Sequence, residues 1–277
     1  MNKFEGSSKY IAGEELLNSV NVAMALQKPL LIKGEPGTGK TMLAEAIAES
    51  LGMELIIWSI KSTTKAQDGL YLYDTVQRLY DSQFGEGNVG DIKQYIRLGK
   101  LGEAFTSEKQ CVLLIDEIDK ADLEFPNDLL WELDKMEFYI NETKETIKTK
   151  TRPIVIITSN AEKELPDAFL RRCIFHYIEF PDKDKMTEIV HAHYGDIDKK
   201  LVEQAMEAFY SLRDMNELQK KPSTSELLDW IQALIISGVD IKKVVDEIPY
   251  VGVLLKKNED IEVMREIKEK GYSLKRW

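Results

Sequence analysis

The chain has 277 residues, 43% hydrophobic and 31% charged, which is enough apolar material for one large or two modest cores and too much for disorder. A formal net charge of −11 argues against nucleic-acid binding, which usually needs a basic face to neutralise phosphates. With only Cys111 and Cys173, there is neither a disulfide framework nor a paired metal knuckle; each cysteine reads as a small hydrophobe at the edge of a buried strand, in keeping with a reducing compartment.

The first ten residues lack an apolar leader core, and no run approaches the roughly eighteen apolar residues that cross a bilayer, so a cytoplasmic protein without membrane association is expected. Residues 13–27 place Leu16, Val20, Ala23 and Leu26 at helical spacing, predicting an amphipathic helix. Residues 29–33 are a short apolar strand that runs into GEPGTGKT at 34–41. Helix resumes over 42–51 with Leu43, Ile47 and Leu51 on one face, and Gly52 is a fitting C-terminal stop. Residues 54–60 read as a second buried strand. From 61 to 110 the pattern is weaker, with loops at 61–69 and 83–91 and a helix expected over 91–105.

Residues 111–115 form an apolar strand that delivers Asp116 and Glu117 at its carboxyl end. Pro126 suits the first turn of a helix running through 127–136. Residues 137–141 and 146–150 alternate well enough for a hairpin, and 152–160 is another buried strand closing on Thr158, Ser159 and Asn160. A short helix in 164–173 precedes a final strand over 174–180. Beyond it the pattern is helical only: Leu201, Ala205, Phe209 and Leu212 share one face, as do Leu227, Ile231, Leu234 and Ile235. Trp131 and Trp230 read as core. The expected organisation is an α/β core over 1–181, a small helical domain over 182–255 and a charged tail over 256–277.

The Gly-rich loop lies between strand and helix, the context that phosphate cradling requires. Gly37 and Gly39 let the backbone approach phosphate, while Gly34, Glu35, Pro36, Thr38 and Met42 complete the binding segment. Lys40 would meet the β- and γ-phosphates; without an anion, its charge at a helix N-terminus opposes the macrodipole. Thr41 and Asp116 are the candidate Mg²⁺ ligands, and Glu117 the group that polarises an attacking water. Alternation along a strand continued through both would aim Asp116 and Glu117 in different directions. His176, His191 and His193 carry no metal signature.

GEPGTGKT, VLLIDEID, Ser159–Asn160 and LPDAFLRR (165–172) stand in the order of Walker A, Walker B, sensor 1 and arginine finger of an AAA+ ATPase. The run from Asp116 to Ile140 together with PSTSELLDW (222–230) resembles MoxR-type AAA+ ATPases, nearest the CoxD-like branch, over about residues 8–250. The resemblance implies a P-loop NTPase core with a parallel five-stranded sheet and a small helical lid, binding ATP and Mg²⁺. Asn160 would then hold the lytic water, and Arg171 or Arg172 would reach a neighbour's γ-phosphate. A homo-oligomeric ring, usually hexameric, would remodel a protein client, with a von Willebrand factor A-domain protein as partner. Tyr10, Ile11 and Ala12 would lie near the adenine, and residues around 61–100 would include the family's inserted elements. One departure is the missing sensor 2 arginine. Ser225 stands near its place, Ser223 and Glu226 form a capping box, and Arg213, Lys220 or Lys221 are the candidate substitutes. Two other readings stay open: a nucleic-acid remodeller built on the same core, and a nucleotide-gated scaffold with little turnover.

Overall fold

The structure is a computed structural model describing residues 3–7, 10–85 and 88–269. Residues Ser8, Lys9, Glu86, Gly87 and the last eight of the expected tail lie outside this set. The described residues divide into two compact units, one drawn from 1–34 and 39–178, the other from 35–38 and 179–277.

In the first unit, α1 (Glu14–Leu26) leads to β1 (Leu30–Gly34), α2 (Lys40–Leu51) and β2 (Leu55–Ser59). Next come α3 (Ala66–Leu70), β3 (Tyr71–Tyr73), α4 (Thr75–Phe84), β4 (Ile96–Leu98) and α5 (Lys100–Thr106). Strand β5 (Val112–Asp116) is followed by α6 (Phe125–Asp128) and α7 (Leu130–Lys135), and the hairpin of β6 (Glu137–Ile140) and β7 (Glu145–Lys148) precedes β8 (Ile154–Ser159). Helix α8 (Asp167–Leu170) and strand β9 (Ile174–Ile178) complete the unit.

Five strands form one parallel sheet in the order β2-β5-β8-β1-β9. Alternation sorts their side chains onto two faces. Leu31, Leu113, Ile115, Val155 and Ile157 join one core, while Leu30, Ile32, Val112, Leu114 and Ile156 join the other. Both faces are therefore buried, which is why these strands read as continuous apolar runs. Each fully buried aliphatic side chain contributes about 1.5–3 kcal/mol. Because the strands run the same way, the carboxyl ends of β1, β5 and β8 share one rim, and that rim carries Gly34, Asp116 and Ser159.

Several elements depart from the sequence reading. Residues 91–105 are not one helix: a 3-10 turn at Ile92–Tyr95 gives way to β4, whose Ile96 and Leu98 pair with Tyr73 and Tyr71, and only then to α5. The expected helix over 127–136 is broken at Leu129 into α6 and α7. Trp131 is 60% exposed, with the Lys135 ammonium over its ring, whereas Trp230 is fully buried. On α1 the inward position falls to Met24, and Leu26 faces solvent.

The second unit contains α9 (Lys183–Tyr194), α10 (Lys199–Arg213), α11 (Thr224–Ser237), α12 (Val244–Glu247), α13 (Val251–Leu254) and α14 (Asn258–Glu269). Its core holds Leu201, Ala205, Phe209 and Leu212 as the spacing predicts, together with Leu227, Trp230, Ile231 and Leu234. Ile235 points outward, at 45% exposure. The capping box forms: Glu226 accepts from the Ser223 N–H at 2.7 Å. The charged segment after residue 256 contributes α14 to this unit, with Met264 in the core and buried Asp260 accepting from the Gln219 and Lys220 N–H groups. No described helix is long and apolar enough to cross a membrane.

Candidate active site

The Gly-rich segment forms the expected strand–loop–helix passage. Gly34 ends β1, and Gly39 caps α2 at φ 79, a left-handed conformation that glycine adopts without steric cost. Gly37 has the same φ, and a Cβ there would lie 2.8 Å from that of Ser223. At Gly39 a Cβ would lie 3.3 Å from the Tyr10 ring. Burial raises the Tyr10 phenol well above its ordinary value. Lys40 is the first residue of α2, nearly buried, with Nζ 2.9 Å from the Gly34 carbonyl. Thr38 donates to the Glu35 carbonyl at 2.9 Å, and Met42 sits exposed in the first turn of α2. The Glu35 carboxylate accepts from Arg213 at 2.7 Å; the same buried guanidinium donates to the Pro222 carbonyl at 2.6 Å and stacks on Phe180. Of the candidate lid cations, Lys220 instead faces Glu226 at 3.7 Å.

Thr41 donates to Asp116 Oδ1 at 3.1 Å, bringing loop and acidic strand end together. Thr158, fully buried on the adjacent strand, donates to the same oxygen at 2.7 Å and accepts from the Glu117 N–H at 2.8 Å. The two acids diverge, but not by strand alternation: β5 ends at Asp116, and Glu117 turns away at φ 59, in the left-handed region. That conformation costs a non-glycine residue about 1–2 kcal/mol. Glu117 is half-exposed. Asn160 Nδ2 donates to its Oε1 at 3.0 Å, and Lys120 is bonded to Oε2. The bond to Glu117 keeps the Lys120 ammonium protonated to higher pH than usual.

Arg171 and Arg172 follow α8 and join none of these residues by a described hydrogen bond or ion pair. Arg172 donates to Asp134 at 2.6 Å and to the Ala168 carbonyl at 2.8 Å, whereas Arg171 is exposed. His176 meets Ser19 at 3.0 Å, away from the candidate set. Cys111 and Cys173 precede β5 and β9, and burial pushes the Cys173 thiol up to about 12. The sequence reading passed over Asp119, Lys120 and Lys163. Local periodicity gives no sign of Asp119, whose partners are backbone N–H groups 41 and 43 residues further on.

The arrangement fits the groups that such a loop holds. Gly37 and Gly39 hold the loop in the left-handed region that glycine adopts without steric cost, and Lys40 supplies a cation. A hydroxyl and a carboxylate oxygen at Thr41 and Asp116 are hard donors of the kind Mg²⁺ prefers, and these two residues would hold the ion.

Fold and loop together define a phosphate-loop nucleotide-binding protein. The profile of the family described as "ATPase family associated with various cellular activities (AAA)" matches residues 30–182, more than half of the chain, and the chain belongs to that family. It is 27% identical over 120 residues to midasin of Dictyostelium discoideum, covering 38% of this chain and 2% of that protein. It is 26% identical over 184 residues to the ATP-dependent zinc metalloprotease FTSH 8, chloroplastic, of Arabidopsis thaliana, covering 63% of this chain and 23% of the relative. The chain thus spans under a quarter of the length of these relatives. Among solved structures, the RuvB Holliday junction branch migration motor of Thermotoga maritima superposes with a TM-score of 0.57 at 15% identity, over 94% of this chain and 77% of that one. This last likeness shows the fold.

Proposed function

We propose that the chain is a Mg²⁺-dependent ATPase of AAA+ type, in the MoxR-like branch, that works in an oligomeric ring to remodel or mature a protein client. The observation that carries the reading is the meeting of Asn160 and Glu117 at 3.0 Å beside the Thr41–Asp116 pair. Lys40 and the loop N–H groups bind the triphosphate. Bound Mg²⁺, held by Thr41 and Asp116, would neutralise charge on the β- and γ-phosphate oxygens. Asn160 orients a water against Glu117, whose carboxylate takes up the proton as the water oxygen attacks the γ-phosphorus and the bond from that phosphorus to the β,γ-bridging oxygen breaks, ADP leaving with the electron pair. Arg171 or Arg172 serves a neighbouring subunit's site. A hexamer, a client reached through a von Willebrand factor A-domain partner and a cytoplasmic location complete this reading.

Replacing Glu117 by Gln removes the proton acceptor while keeping shape. ATP binding is expected to persist while turnover falls ~10²–10⁴-fold. Titration with a fluorescent ATP analogue and a phosphate-release assay measure the two; unchanged turnover defeats the assignment. A nucleic-acid remodeller, the reading that the RuvB-like fold keeps in play, would instead show ATPase activity stimulated by DNA or RNA and weakening with salt.

A further inference from the structure

Asp119 is 2% exposed, in the 3-10 turn just past the acidic strand end. A carboxylate buried this deeply is tolerated only when its oxygens are bonded. Oδ1 accepts from the Asn160 N–H at 3.3 Å, and Oδ2 accepts from the Glu162 N–H at 2.9 Å. Between these two donors stands Ala161 at φ 60, a left-handed backbone that needs outside support in a residue carrying a Cβ. Asp119 therefore grips the turn on both sides of its strained residue. A second strap lies alongside: Lys163 Nζ donates to the carbonyls of Lys120 at 3.2 Å and Ala121 at 2.8 Å. One short segment thus carries Glu117 and holds, by two side-chain links, the turn that carries Asn160.

Resting on the ATPase reading above, we propose that Asp119 is a positioning residue for hydrolysis. By fixing the backbone of Asn160 it sets that amide on Glu117 Oε1, and the water between substrate and Glu117 inherits its placement from this grip. Asp119 touches neither nucleotide nor water and acts only through Asn160. Lys163 supports the same turn from the solvent side.

The test is a double-mutant cycle on the full chain. Asp119→Asn keeps the side-chain volume but gives one N–H an NH₂ group where it had an acceptor. We expect kcat to fall ~10- to 100-fold, as for a misplaced catalytic group, with the affinity for a fluorescent ATP analogue unchanged. In an Asn160→Ala background the same substitution should cause no further fall. Lys163→Met, on an exposed side chain, should lower kcat less and show the same dependence on Asn160, which keeps the test decisive should Asp119→Asn fail to fold. Equal losses with and without Asn160, joint loss of ATP affinity and turnover, or unchanged kcat would each overturn the proposal. Wild-type turnover that Glu117→Gln abolishes shows the ATPase reading standing, so a wild-type-like Asp119→Asn then refutes the positioning role alone.

Discussion

At the scale of single residues, the site shows one buried threonine organising two acids. Thr158 donates to Asp116 and accepts from Glu117, so the proposed metal ligand and the proposed proton acceptor share a support on the neighbouring strand. The sequence made Asp116, Glu117, Lys40 and Thr41 legible because a loop motif and an apolar run mark them locally. Asp119 stayed hidden because its partners are distant backbone groups. His176 offers a prediction of a different kind. Burial holds its imidazole below the ordinary value, opposed by the charge of Glu15. The folded state therefore binds fewer protons than the unfolded chain, so the stability present above ~6.5, the unfolded value, is lost as pH falls through the lowered folded one. Thermal melts of the wild type should drop as pH falls below the unfolded value of ~6.5, and His176→Gln should flatten that drop. A variant with an unchanged slope would remove His176 as a cause.

At the scale of elements, the helical and apolar periods located most strands and helices, and their errors have common origins. The segment 91–105 carries a helical pattern, yet Ile96–Leu98 finds a strand partner in Tyr71–Tyr73, and pairing outside the segment overrides local propensity. Periodicity also cannot tell which apolar residues face solvent. Val76, Leu79, Tyr80 and Phe84 of α4 are all exposed. Helix α5 shows the same limit in its glycines. On propensity alone Gly102→Ala should stabilise that helix by about 1 kcal/mol. In the fold, however, the added Cβ would lie 2.1 Å from the Leu70 carbonyl oxygen. Overpacking of this kind typically costs ~1–3 kcal/mol, so the substitution is expected to destabilise. Denaturant titration reads the sign directly, and a more stable variant would show that α5 can shift without strain.

At the scale of the whole molecule, alternating strands and helices give way to helices alone, and one compact unit combines residues 35–38 with the chain from Glu179 onward. Strand order was less accessible, since nothing local shows that β8 lies between β5 and β1. The proposed ring assembly belongs to this scale and yields a complementation test. Homomers of Glu117→Gln and of Arg172→Ala should each be inactive. Mixed together, they should recover part of the phosphate release, because some interfaces then pair an intact Glu117 with an intact arginine. Arg171→Ala, run in parallel, discriminates between the two neighbours. Failure at every mixing ratio for both would remove the trans-acting role.

The left-handed backbone at Glu117 sets robustness against chemistry at a single position. Glycine, or asparagine to a lesser degree, would sit there with less steric conflict, but either one discards the carboxylate. On the role proposed for Glu117, selection for heat resistance alone would drift toward an inert protein, and only selection for turnover would keep the glutamate in its uncomfortable geometry.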